Sequence, residues 1–129
     1  MKARTTTTLA ALAVIIASSI ASAQAPGIKR TLMQRTDSGA NQETILGLAE
    51  IEAGGAAGRH THFGIEVGYV VSGTSILEIE GEPPRMLKAG DSYLIPAGKI
   101  HDAKAGPDGA KVLATYVVEK GKPLATPAP

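Results

Sequence analysis

The chain has 129 residues, 13 Lys+Arg against 12 Asp+Glu, 3 His, 3% aromatic residues and no Cys. That length fits one small domain, and the absence of thiols excludes disulfides, thiolate metal sites and a Cys nucleophile. A formal charge of +1 gives no clustered basic surface for nucleic acid.

Met1-Lys2-Ala3-Arg4 is a short basic start, followed by a 12-residue apolar run from Leu9 to Ile20 and by the small residues Ala21-Ser22-Ala23. This is the layout of a secretory signal peptide over residues 1–23. The run is shorter than the roughly 17–25 residues of a membrane-spanning helix. Cleavage after Ala23 or Ala25 removes Lys2 and Arg4, leaving 11 basic residues against 12 acids, a net charge of −1. With Ala3 between Lys2 and Arg4 there is no twin-arginine pair, so the expected route is unfolded export to the periplasm, with no membrane association after cleavage.

Residues 24–42 are polar and without period, and read as a flexible leader that then lies along the domain. From Glu43 to Glu119 short apolar segments alternate with Gly-containing turns. Thr44–Glu52 reads as a strand and Ala53–Arg59 as a Gly-rich loop. Glu66–Val71 and Thr74–Glu80 flank Ser72-Gly73, a hairpin signal. Arg85–Lys88, Ser92–Ile95 and Lys99–Lys104 are short strands set off by Pro and Gly. Gly106-Pro107-Asp108-Gly109 reads as a turn before the strong strand Lys111–Val118, and residues 120–129 as a loose Pro-rich tail. No helical period is sustained, so the pattern is that of an all-β sandwich or barrel. By alternation Tyr69 and Val71 lie opposite Glu66 and Val70, so both faces of that strand are partly apolar. One face lines the interior, and the other calls for a cover such as a second subunit.

His60 and His62 are two apart, on one side of an extended segment. Glu66 follows four residues later, and His101 follows a Pro-x-Gly turn. Three imidazoles and a carboxylate suit a divalent transition metal and not Ca²⁺, which prefers oxygen ligands. Incidental surface histidines are the alternative that spacing alone leaves open.

The punctuation around these residues resembles a known family. Gly54, five residues, His60-Thr61-His62, three residues, Glu66, six residues and Gly73 match the first cupin motif. Gly90, five residues, Pro96-Ala97-Gly98, two residues and His101 match the second, with 16 residues between Gly73 and Gly90. The resemblance covers about residues 43–119 and implies an all-β double-stranded β-helix, the jelly-roll barrel, usually dimeric. It also implies one divalent metal (Mn, Fe, Cu, Ni or Zn) held by His60, His62, Glu66 and His101. Three departures stand out: Phe63 where Pro is common, Ile65 where an acid is common, and Ala105 where Asn is common. They leave the ligands intact: Phe63, the chain's one Phe, is expected to fill the core, Ile65 to make the mouth more apolar, and Ala105 to affect loop geometry more than metal binding.

A metal so held is a Lewis acid or, if redox-active, an oxygen-binding centre. Glu66 is the candidate catalytic residue, as a ligand that doubles as general base. Tyr93 and Tyr116 are candidate hydrogen-bond donors whose strand faces the sequence leaves open, and Asp102, out of phase with His101, reads as a surface carboxylate. No serine-hydrolase elbow, phosphate loop or dinucleotide fingerprint is present. The expectation is a secreted homodimeric metal-binding protein acting on a small organic molecule. A dioxygenase-type oxidoreductase comes first, with a non-redox lyase or isomerase, or a non-catalytic binding protein, as alternatives.

Overall fold

The computed structural model describes residues 26–129; the signal-peptide reading lies outside the described residues. Eight strands follow in order: β1 (Ile28–Asp37), β2 (Gln42–Ile51), β3 (His60–Thr61), β4 (Gly64–Ile79), β5 (Arg85–Lys88), β6 (Ser92–Ile95), β7 (His101–Glu119) and β8 (Thr126–Pro127). Among the described residues there is no helix, and none long and apolar enough to cross a membrane.

The antiparallel sheet curls around β7 into a jelly-roll β-barrel. The second half of β7 lies between β2 and the first half of β4, and its first half between β3 and the second half of β4. The other edge of β4 carries β6 and then β5. The interior is filled by alternate residues of these strands. Val70, Leu77, Ile79, Leu87, Ile95 and Val112 form one apolar cluster, and Ile45, Ala114, Tyr116 and Val118 another. Each large buried aliphatic side chain contributes about 1.5–3 kcal/mol.

Three readings of the sequence change. The leader contains β1, paired along its length with β2. Its polar outer residues obscured the period, but Ile28, Arg30 and Leu32 alternate toward the barrel, and pairing satisfies the edge of β2. The tail is not loose, because β8 pairs with β3 and Leu124 packs on the Ile45 cluster. Ser72-Gly73 is not a hairpin, since β4 runs through it with register shifts between Val70 and Ser72 and between Gly73 and Ser75. Both halves of β4 keep β7 as partner, so the extra residues are absorbed as bulges. The bulge reverses the inward phase from Glu66, Gly68 and Val70 to Ser75, Leu77 and Ile79. Opposite it, Gly106–Gly109 interrupts the pairing within β7 and does not end the strand.

Candidate metal centre

Strand pairing assembles the site. His60 on β3 is the register partner of His101 at the start of β7. Glu66 on β4 lies between Ile95 of β6 and Tyr116 of β7. His62 follows β3, and its carbonyl accepts the Gly98 N–H at 3.0 Å, tying the two histidine segments together. Gly98 sits at φ +73°, a left-handed conformation that glycine adopts without strain, in the turn that leads into His101. One ligand atom from each of His60, His62, Glu66 and His101 lies within 4.8 Å of the others.

The three rings are oriented by the backbone. His60 Nδ1–H donates to Gly58 O at 2.6 Å, His101 Nδ1–H to Lys99 O at 2.9 Å, and His62 Nδ1–H to Leu124 O. These acceptors assign the Nδ1–H tautomer and leave each Nε2 as a lone pair. His62 Nε2 is 2.9 Å and His101 Nε2 3.3 Å from Glu66 Oε2. Both nitrogens are buried and make no hydrogen bond. Lone-pair nitrogens converging on a carboxylate oxygen repel unless a cation or a proton lies between them. The donor set therefore fits a transition metal, with imidazole and carboxylate ligands and backbone carbonyls fixing the rings.

Glu66 is only 5% exposed. Its other oxygen, Oε1, accepts the Tyr93 hydroxyl at 2.7 Å. Burial pushes the Glu66 carboxyl up, but when the His101 and His62 Nε2 atoms carry protons, hydrogen bonds from these rings, the His62 charge and the Tyr93 hydroxyl outweigh it and hold it below the usual carboxylate range. Burial, then the Glu66 charge, drives the Tyr93 phenol far above its ordinary value, so it remains a donor. Burial pulls His60 down to about 4, which keeps it neutral and in ligand form near pH 7. Room for Tyr93 comes from its register partner Gly68, where a Cβ would overlap the phenol ring. Tyr116 also points inward, its ring 4.9 Å from that of His62. Burial and Glu66 raise its phenol, and the positive charge of Arg30 opposes them.

A cavity of ≈ 30 Å³ beside the ligands is lined by His60, Glu66, His101, Tyr93, Tyr116 and Arg30, with apolar side chains completing the wall. Such a space holds about one small molecule the size of water. Sequence reasoning missed Arg30, which lies in the segment read as a leader; the Ile28/Arg30/Leu32 alternation was the available signal. The Leu124 carbonyl, a backbone group in an irregular tail, left no signal. Asp102 is not on the surface: it is 6% exposed, and its Oδ1 makes no hydrogen bond. Phe63 is exposed at the surface, with Lys122 Nζ 5.2 Å from its ring centre, and does not fill the core.

Comparison with known proteins adds the family. Dimethylsulfoniopropionate lyase DddW of Ruegeria pomeroyi is 33% identical over 82 residues, 64% of this chain and 53% of that protein. The chain thus spans about half the length of this curated relative. Among solved structures, KdgF from Halomonas sp. is 29% identical over 71% of this chain and 80% of its own, with a TM-score of 0.59. A salicylate 1,2-dioxygenase from Pseudoaminobacter salicylatoxidans, solved with gentisate, is 16% identical over 76% of this chain and 30% of its own, with a TM-score of 0.62. The last likeness is one of fold. A family model described as the Cupin domain matches residues 47–122 of the 129. That span carries all four residues of the cluster, and the chain belongs to the cupin family.

Proposed function

We propose that this cupin is a metal-dependent enzyme that acts on a small organic molecule by proton-transfer chemistry, as a lyase or isomerase. The observation that carries the reading is the divided use of Glu66. One carboxylate oxygen faces the histidines and the other holds the Tyr93 hydroxyl, beside a small, largely apolar cavity. The ion that fits is a divalent transition metal (Mn, Fe, Cu, Ni or Zn), and when bound it supplies Lewis acidity toward a substrate oxygen. Glu66 Oε2 serves as the ligand atom. Oε1 accepts a substrate proton when the substrate takes the place of the Tyr93 hydrogen bond. Tyr93 fixes the carboxylate plane beforehand, which lowers the cost of orientation at the moment of reaction. The DddW likeness, to a protein named a lyase, supports this choice over the dioxygenase-type expectation. The dioxygenase likeness, at 16% identity, speaks for fold alone.

The reading includes secretion, which the composition of residues 1–23 supports. It also includes a homodimer. Ile65, Val67, Tyr69 and Val71 on the outer face of β4 and Leu94 on β6 are exposed together, with Val67 and Leu94 register partners. An apolar sheet face of this kind calls for a cover. Light scattering reads the mass, and Val67→Lys is expected to give monomers.

The enzymatic test is anaerobic turnover by zinc-loaded protein of candidate organic acids, dimethylsulfoniopropionate first. Turnover without oxygen, lost in Glu66→Gln while metal content persists, is the expected result. Turnover that appears only in a parallel aerobic assay of iron- or copper-loaded protein, with oxygen consumed, would return the assignment to an oxidoreductase, and saturable binding without turnover in either assay would leave a binding protein.

A further inference from the structure

The interior does not end at the ligand cavity. Arg30, Ala49 and Tyr116 separate it from a second, outer chamber of ≈ 200 Å³. Ile45, Gly47 and Ala49 alternate along β2, and Leu32 stands opposite Gly47 on β1. With Leu124 from the tail and the Tyr116 ring they give the chamber a mostly apolar wall. Leu32 is 59% exposed, so the chamber opens to solvent there. Gly47 keeps it hollow. A Cβ at that position would make only ordinary contacts, 3.6 Å from Thr31 O and 3.8 Å from the Tyr116 ring, so a branched side chain there would occupy the chamber without displacing the strands.

Size and charge select the occupant. An apolar cavity of about 150 Å³ takes up a benzene ring, so this chamber has room for a single ring with a small substituent. Its lining includes two cationic side chains, and both are already engaged. Arg35 Nε lies 3.3 Å from Glu43 Oε2, and Arg30 has an interaction partner of its own. An anion entering the chamber would give up water for an apolar wall with no unpaired cation to receive it, whereas an uncharged ring gives up only unfavourable hydration. The inner cavity of ≈ 30 Å³ has room for about one water-sized group, so the ring stays on the outer side.

Two of the lining residues also hold a candidate metal ligand. The Leu124 carbonyl accepts the His62 Nδ1–H, and the Tyr116 ring lies 4.9 Å from the His62 ring. A ring packed against Leu124 and Tyr116 restrains both groups that orient His62. We propose that the outer chamber is a binding site for an uncharged, single-ring apolar molecule, coupled to the metal centre through His62. Ordering His62 in advance lowers the cost of ordering it around an ion, so ligand and ion strengthen each other by the same factor. The chamber assignment is independent of the metal-enzyme reading; only the effect on zinc rests on it.

The test is calorimetric titration of full-length protein, chelator-treated and zinc-loaded, with toluene and with benzoate as its charged counterpart. Wild type and Gly47→Val are compared, with the melting temperature of each as the control for folding. Toluene is expected to bind wild type with a Kd at or below about 1 mM, and benzoate at least about tenfold more weakly. Gly47→Val is expected to abolish toluene binding while melting as wild type does. Saturating toluene is expected to raise zinc affinity about fivefold in wild type and not in Gly47→Val. In chelator-treated protein, toluene is expected to shift the His62 ring resonances, identified by their loss in His62→Gln. Absence of saturable toluene binding, binding that survives Gly47→Val, tighter binding of benzoate, or zinc affinity indifferent to toluene would overturn the proposal. If wild type takes up no zinc but toluene still binds, shifts His62 and is blocked by Gly47→Val, the metal reading fails and the chamber assignment stands.

Discussion

Tyr93→Phe removes one oxygen atom from the site and little else. The ring keeps its place among Val70, Leu77, Ile95 and Val112 and its space over Gly68, so packing is conserved. What disappears is the 2.7 Å hydrogen bond to Glu66 Oε1. A hydrogen bond to a charged group contributes about 1.5–3 kcal/mol. Water cannot readily replace it, because Glu66 is 5% exposed. For a domain of this size each kcal/mol shifts the melting temperature by about 4–8 °C. The metal-free variant is therefore expected to melt about 10 °C below wild type, measured by circular dichroism in chelator. Its zinc affinity is expected to fall about 10–100-fold, because Glu66 is then free to rotate away from the histidines. Equal melting temperatures and equal zinc affinities would refute the claim that Tyr93 positions Glu66.

Ending the chain after Lys122 removes β8 and the Leu124 carbonyl that accepts His62 Nδ1–H. Zinc affinity by competition titration is expected to fall about 10–100-fold, and a truncated protein with wild-type affinity would show that the tail does not hold His62. Gly68→Ala places a Cβ against the Tyr93 ring and is expected to reproduce the loss of zinc affinity seen in Tyr93→Phe. Leu77→Ala, at a site only 2% exposed, is expected to cost about 2–5 kcal/mol in urea unfolding. It is expected to leave one bound metal per chain, since Leu77 touches the cavity wall without being a ligand.

The barrel was legible in the sequence because its inner strands alternate cleanly and its turns carry Gly and Pro. Thr44–Glu52, Arg85–Lys88 and Ser92–Ile95 fall within a residue or two of β2, β5 and β6. His60, His62, Glu66 and His101 were legible as a group because their spacing is local in two short segments, and the structure brings those segments onto one rung. Pairing between distant segments was not legible. β1 is an edge strand exposed on most of its length, so only three inward residues signal it. The Ser72-Gly73 bulge looks like a turn in sequence, because whether the chain reverses there depends on β7, about 30–40 residues further along. Backbone acceptors such as Leu124 O are invisible to any side-chain pattern, although here one orients a candidate ligand. Arg30 joined the site only once β1 had a partner.

Metal content bears most directly on the account. Untagged protein expressed from the full-length sequence and purified without chelators is expected to carry about one Mn, Fe, Cu, Ni or Zn per chain by elemental analysis. A His60→Ala/His62→Ala double variant is expected to carry none while retaining its β-sheet circular dichroism. Wild-type protein that takes up no metal under any loading condition would contradict the central claim, leaving the converging Nε2 atoms and Glu66 to be bridged by a proton.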